Sequence, residues 1–166
     1  MLSIIFLGSD DDWLSFQTGT QGNSYQVTHL SRSEELSNDQ IRNSDLILLP
    51  YRLQSQNSLP LCHQLRQLNP HLLCILLVDA DQAHHAIESF RSGAFDVLSV
   101  PYEPQELLSS LRKSENFIAH RAYIYSQQQP PGELDSDIVP VAVSAKYASH
   151  AFLTASDFRQ RKFLSS

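Results

Sequence analysis

Asp45-Leu46-Ile47-Leu48-Leu49-Pro50-Tyr51-Arg52-Leu53 is the stretch on which the fold turns. One acid opens it, and an unbroken apolar run carries it to a proline. A run so short and so uniformly apolar reads as a strand buried on both faces, the usual centre of a parallel sheet. Pro50 closes that strand with neither an N–H nor an ionisable side chain. If this strand end is the working position of an α/β fold, the position is chemically silent.

Upstream, Ser3–Leu7 has strand length and composition, and Gly8-Ser9 leads into Asp10, Asp11 and Asp12. Acids suit the first turn of a helix, where they meet unpaired N–H groups and the positive end of the helix dipole. That predicts a helix from about Asp11 to Thr18. Tyr25–Leu30 alternates and predicts a second strand. The polar stretch 31–43 predicts at most a short helix at Ser33–Leu36.

Downstream, Leu59, Leu61, Cys62, Leu65 and Leu68 have helical spacing, and Asn69-Pro70 ends the pattern. Leu72–Val78 is a second continuous apolar run and reads as another buried strand. Asp79 is expected to cap a helix over Gln82–Arg91, with Ala83, Ile87 and Phe90 on its inner face. Ser92-Gly93 closes that helix. Phe95–Val100 is the last strand. From Glu103 a long helix follows, with Leu107, Leu108, Leu111 and Phe117 expected inward. Strands and helices in this alternation predict an α/β fold, a doubly wound five-stranded parallel sheet of flavodoxin-like type with a C-terminal tail. Its chemistry belongs at the carboxyl ends of the strands.

The domain is expected over residues 1–124. Residues 125–137, rich in Gln, Pro and Gly, read as a linker, and 138–166 as a C-terminal extension, β then α. That extension carries Lys146, Arg159, Arg161 and Lys162 and is too short for an independent core.

Composition narrows the function classes. The chain has 166 residues, 42% of them hydrophobic and 18% charged, with a net charge of −6. An acidic chain without a basic block does not suit phosphate-backbone binding, so no nucleic-acid partner is expected. No apolar run reaches membrane-spanning length, and the start reads as a strand rather than a signal peptide. Cys62 and Cys74 form no CxxC pair and read as reduced thiols of a cytoplasmic protein. The adjacent His84 and His85 point about 100° apart on a helix and make no metal pair. No Ser lies in a nucleophile-elbow context.

From Leu2 to about Lys113 the chain resembles the receiver domain of bacterial response regulators. The strongest match is Gly93-Ala94-Phe95-Asp96-Val97-Leu98-Ser99-Val100-Pro101-Tyr102, which is similar to the family's Gly-Ala-x-x-aromatic-Leu-x-Lys-Pro-Phe segment. The strand ending in Pro50, followed by Ser58 and Leu59, resembles the acceptor strand and its loop. Val78 and Val100 lie at about the intervals from Pro50 that the family's next strand ends keep.

The resemblance implies a signalling module, not an enzyme, in two-component phosphorelay regulation. Family members hold Mg²⁺ on two acids after the first strand. An Asp accepts the phosphoryl group, a Thr or Ser bonds it, a Lys pairs with it and an aromatic reports it; each of the first four acts by placing or neutralising charge. Here the acceptor position is Pro50, the hydroxyl position Val78, the lysine position Val100 and the aromatic position Val97. The acid positions are Gly8 and Ser9, with Asp10 and Asp11 one or two residues late as candidate Mg²⁺ ligands. The expectation is therefore a degenerate pocket in a pseudo-receiver that lacks the acceptor Asp and works by protein–protein interaction or self-association. The surface implied is that of the fourth helix, fifth strand and fifth helix, with His84, Ser89, Arg91, Val97 and Tyr102.

Two alternatives stand beside it. One is a phosphorelay receiver with Mg²⁺ on Asp10 and Asp11 and a non-standard acceptor such as Asp79. The other is a flavodoxin-like flavin carrier, which the three aspartates oppose because they would repel a phosphate.

Overall fold

The computed structural model describes residues 1–128. The expected extension at 138–166 and most of the expected linker lie outside the described residues. The chain divides into two compact units, one formed by Leu2–Arg112 and one that begins at Lys113.

The first unit holds strands β1 (Ser3–Leu7), β2 (Gln26–Leu30), β3 (Leu46–Pro50), β4 (Leu73–Asp79) and β5 (Asp96–Val100). They form one parallel sheet in the order β2-β1-β3-β4-β5, the doubly wound arrangement expected. β3 lies between β1 and β4, with Ile47 opposite Ile5 on one side and Cys74 on the other. Leu46 through Leu49 are fully buried, so the quoted stretch is the middle of the core.

Helices α1 (Asp10–Gly19), α2 (Asn38–Asn43), α3 (Leu59–Leu68) and α4 (Ala83–Arg91) connect the strands, and α5 (Pro104–Gln128) follows β5. Alternation along the strands sorts the apolar side chains between two faces. Ile5, Leu7, Ile47, Leu49, Cys74 and Leu76 pack with Ile41 of α2 and with Cys62 and Leu65 of α3. On the opposite face Phe6 meets Phe16 of α1 at 5.0 Å between ring centres. Gly19, at the end of α1, lets Leu107 approach so closely that a Cβ there would stand 2.9 Å from its Cδ2.

Three expectations change. The stretch before β3 holds a 3₁₀ turn at Ser33–Glu35 and then α2. The Ser37 hydroxyl accepts from the Gln40 N–H, and the Gln40 side chain accepts from the Ser37 N–H. This reciprocal cap lets a helix carrying only one buried apolar residue, Ile41, form. The loop after β3 contains a two-stranded hairpin, Arg52–Leu53 with Gln56–Asn57, turning through Gln54 (φ 50°) and Ser55 (φ 66°).

The third change concerns α4. Ile87 and Phe90, expected to face inward, are 58% and 53% exposed, and Ala83 is exposed too. The buried face is His85 and Ser89. Ring stacking of His85 on Tyr51 and a hydrogen bond from Ser89 Oγ to the His85 carbonyl let that polar face be buried. Gly93 adopts φ 94° beyond α4 and closes it as expected.

The second unit is described only as the remainder of α5, which runs unbroken to Gln128. Phe117, expected inward, is exposed, with the Arg121 guanidinium 5.8 Å from its ring centre. No helix among the described residues is long and apolar enough to cross a membrane.

Candidate functional site

The carboxyl ends of β1, β3, β4 and β5 meet at a cavity of about 350 Å³. Pro50, Leu77 and Val100 contribute its apolar lining, and Ser9, Asp12, Arg52 and Asp79 are among its polar residues. The register accounts for the floor, because Pro50 stands opposite Leu77, and Asp79 opposite Val100. Residues two apart share a strand face, so Leu77 and Asp79 reach the cavity while Val78 between them is buried outside its lining.

Each rim group is held by local chemistry. Ser9 is the N-cap of α1. Its hydroxyl accepts from the Asp12 N–H at 3.3 Å and donates to the Asp12 carboxylate at 2.7 Å. Asp12 is thereby held at the corner, while Asp10 and Asp11 are exposed in the first turn of α1 and do not line the cavity. Gly8 is buried just below. Its N–H donates to the Leu30 carbonyl, and its own carbonyl lies 3.1 Å from His29 Nε2. Trp13 stacks on that imidazole at 4.9 Å.

Pro50 donates nothing, but its carbonyl accepts from the Ser58 hydroxyl at 2.5 Å. The Ser58 N–H donates to the Tyr51 carbonyl, so the loop folds back on the strand end. The Val100–Pro101 peptide is cis.

Sequence reasoning missed Tyr51. Its side chain is buried and its hydroxyl donates to Glu88 Oε2 at 2.5 Å. Asn57 Nδ2 donates to the same hydroxyl at 3.0 Å, and the ring stacks on His85 at 4.1 Å. Burial, then the neighbouring Glu88 carboxylate, pushes the Tyr51 phenol up from its ordinary value. Tyr51 and His85 both line the cavity, so these contacts tie its wall to α4. No local pattern could have announced this, since the partners are far apart in the chain.

Asp79 is not the expected helix cap. Gln82 holds that position without a side-chain bond, and Asp79 is instead exposed at the cavity.

The five residues read as an interaction surface divide. His84 and Arg91 are exposed on α4, Val97 is half-buried on β5, and Tyr102 is half-buried beyond it. Ser89 is 0% exposed and cannot contribute to a surface, a correction that follows from the rotation of α4. The Tyr102 hydroxyl is buried without a hydrogen-bond partner among the described residues. Burial, with the Asp12 carboxylate adding to it, pushes this phenol up to about 12.

The arrangement can admit a small polar molecule. At Pro50 it offers no group that could be phosphorylated. The described residues contain no cluster of three or more metal-ligating side chains.

Comparison with known proteins places this geometry. No family model matches the chain. The DNA-binding transcriptional regulator NtrC of Klebsiella pneumoniae is 26% identical over 126 residues, 74% of this chain and 25% of that protein. The same regulator from Salmonella typhimurium is 26% identical over 91 residues, 55% of this chain and 18% of that protein. The chain thus spans a quarter or less of the length of these relatives.

Among solved structures, the N-terminal signal receiver domain of a two-component response regulator from Bacteroides fragilis superposes with a TM-score of 0.61. It is 24% identical, covering 69% of this chain and 97% of that one. A receiver domain protein from Clostridium thermocellum gives a TM-score of 0.62 at 16% identity, covering 69% and 94%. The five-stranded sheet is therefore of receiver type, in order as in outline.

Proposed function

We propose that this chain is a pseudo-receiver, a receiver-type module of two-component signalling that acts by contact with a protein partner or a second copy of itself and not by aspartyl phosphorylation. The observation that carries the reading is Pro50 at the exit of the central strand, with Leu77 and Val100 beside it. Phosphoryl transfer needs a nucleophilic carboxylate, and cationic groups to neutralise the charge that builds on the transferring group. The exit of β3 supplies Pro50 in place of a carboxylate, and Leu77 and Val100 add apolar lining, while the charged groups of the cavity are Asp12, Arg52 and Asp79.

The degenerate pocket in this reading comprises Ser9, Pro50 and Val100, with Gly8 buried below it and Val78 turned out of its lining. The working surface is the outer side of α4 with β5 and the start of α5, bearing His84, Arg91, Val97 and Tyr102. The exposed Ile87 and Phe90 add apolar area to α4, where a partner would gain by covering it. The module is proposed to act in the cytoplasm.

One observation favours a second reading, a receiver with a displaced acceptor. Asp12 and Asp79 both line the cavity. If they worked with Mg²⁺, Trp13, which follows Asp12 in the chain, would report it. Titration of the protein with Mg²⁺ and then with a small phosphoryl donor, followed by tryptophan fluorescence, separates the two. The pseudo-receiver reading expects no saturable change. Saturable quenching by Mg²⁺, with a further change on adding the donor, would favour the displaced acceptor.

A further inference from the structure

His85 keeps only 9% of its surface and lines the cavity at the strand ends. Its ring stacks on Tyr51 at 4.1 Å, but its nitrogens make no hydrogen bond among the described residues. The Tyr51 hydroxyl beside it is satisfied twice, by Glu88 and by Asn57. A polar ring buried to this extent costs stability unless a partner reaches it, and the cavity is the side from which one can come.

The charges of the same cavity also lack partners. None of Asp12, Arg52 and Asp79 forms an ion pair among the described residues. Asp12 is bonded to Ser9, while the Arg52 and Asp79 side chains make no hydrogen bond. The cavity thus joins a fixed wall, with its buried imidazole, to free groups of both signs. We infer that it is the binding site of a small zwitterion, an α-amino acid with a short apolar side chain.

The chemistry divides the ligand among the lining groups. The Arg52 guanidinium takes the carboxylate, for which its parallel N–H donors are suited. Asp79 and Asp12 take the ammonium group, and a His85 nitrogen supplies a further hydrogen bond. Pro50, Leu77 and Val100 cover the apolar side chain. Two carboxylates against one guanidinium oppose a phosphate or another simple anion. The volume of about 350 Å³ stands at the small end of ligand cavities, which suits an amino acid better than a nucleotide.

The inference rests on the reading of the corner as silent in phosphoryl transfer, and it deepens that reading. His85 lies in the first turn of α4, whose outer side bears the working surface proposed above. A ligand bonded to His85 would therefore bear on that helix, and the amount of a small molecule would replace phosphate as the input.

The test titrates the full chain, without Mg²⁺ or a phosphoryl donor, with L-alanine, L-valine, L-leucine and L-methionine up to millimolar concentration. Calorimetry and the imidazole proton resonances of His85, identified by their loss in His85→Phe, give the readout. At least one amino acid should bind saturably and shift those resonances. Its decarboxylated and its deaminated analogues should each bind about tenfold more weakly. Arg52→Ala and Asp79→Asn, both at exposed positions, should each weaken binding by about the same factor, while Arg91→Ala, away from the cavity, should not. His85→Phe keeps a ring against Tyr51 and should also bind more weakly; if it fails to fold, the two exposed variants decide. No saturable binding of any of the four, binding indifferent to Arg52→Ala and Asp79→Asn, or tighter binding of the deaminated acid or of inorganic phosphate would each overturn the inference. Such a failure leaves Pro50 without an acceptor carboxylate, whereas phosphorylation by a donor would sink the underlying reading whatever the amino acids do.

Discussion

Helices α3 and α4 follow one another in the chain, and both carry apolar residues at helical spacing, yet they use them in opposite ways. α3 turns Cys62 and Leu65 into the core and leaves its polar residues outside. α4 turns His85 and Ser89 inward and leaves Ile87 and Phe90 in solvent. The first pattern is what burial of apolar area dictates. The second needs compensation for the polar face, which the Tyr51 ring and the Ser89 hydrogen bond provide. The difference teaches that α3 commits apolar side chains to the core, while α4 leaves two of its largest apolar side chains exposed.

Substitutions can break or sharpen this contrast. The largest effect is expected in α3. Leu65→Ala, which empties a buried site, should lower stability by about 2–5 kcal/mol in chemical denaturation. Ile87→Ala on α4 should change it by no more than about 0.5 kcal/mol. Comparable losses at the two positions would erase the distinction. In sedimentation or partner capture the order should invert, with Ile87→Glu and Phe90→Glu abolishing association while the fold stays intact.

A smaller effect is expected at the tie between the corner and α4. Tyr51→Phe removes the donor to Glu88 and the acceptor for Asn57, and should cost about 1–3 kcal/mol. Amide exchange in residues 83–91 should quicken. An unchanged exchange pattern would mean that α4 is held by packing alone.

Smaller still, Ser55→Gly should raise stability by about 1 kcal/mol, because Ser55 occupies a left-handed conformation at φ 66° that glycine adopts freely. A loss there would point to contacts of the serine side chain that outweigh the strain.

Tyr102 gives a pH signature. Its folded-state pKa is raised from 10.0 to about 12, so the folded form holds the proton more tightly than the unfolded chain. The associated stability is fully present below 10 and is lost as pH rises through about 12. Tyr102→Phe should flatten that part of the stability profile. An unaltered alkaline slope would assign it to other groups, Tyr51 among them.

The sheet was legible in the sequence because its strands are short apolar runs set off by breakers, and their burial leaves little choice of place. The corner was legible in part. Pro50, Val100 and Ser9 were identified and do line the cavity, since strand ends must converge in a parallel sheet. Val78 lies outside the lining because strand alternation turns it away, and a match of spacing alone cannot tell which face a residue takes. Tyr51 escaped notice for a different reason. Its partners Glu88 and His85 lie far off in the chain, and only folding brings them together. α4 misled because its apolar spacing satisfies the rule for an inward face. The deciding fact is a stacked ring from another element.

The central claim is that the corner beside Pro50 does not take up phosphate. Its most direct test is intact-mass analysis of the full chain after incubation with acetyl phosphate and Mg²⁺ at neutral pH. The account predicts a single species at the unmodified mass. A stoichiometric gain of one phosphoryl group, mapped to Asp79 or to the acids at the start of α1, would contradict it.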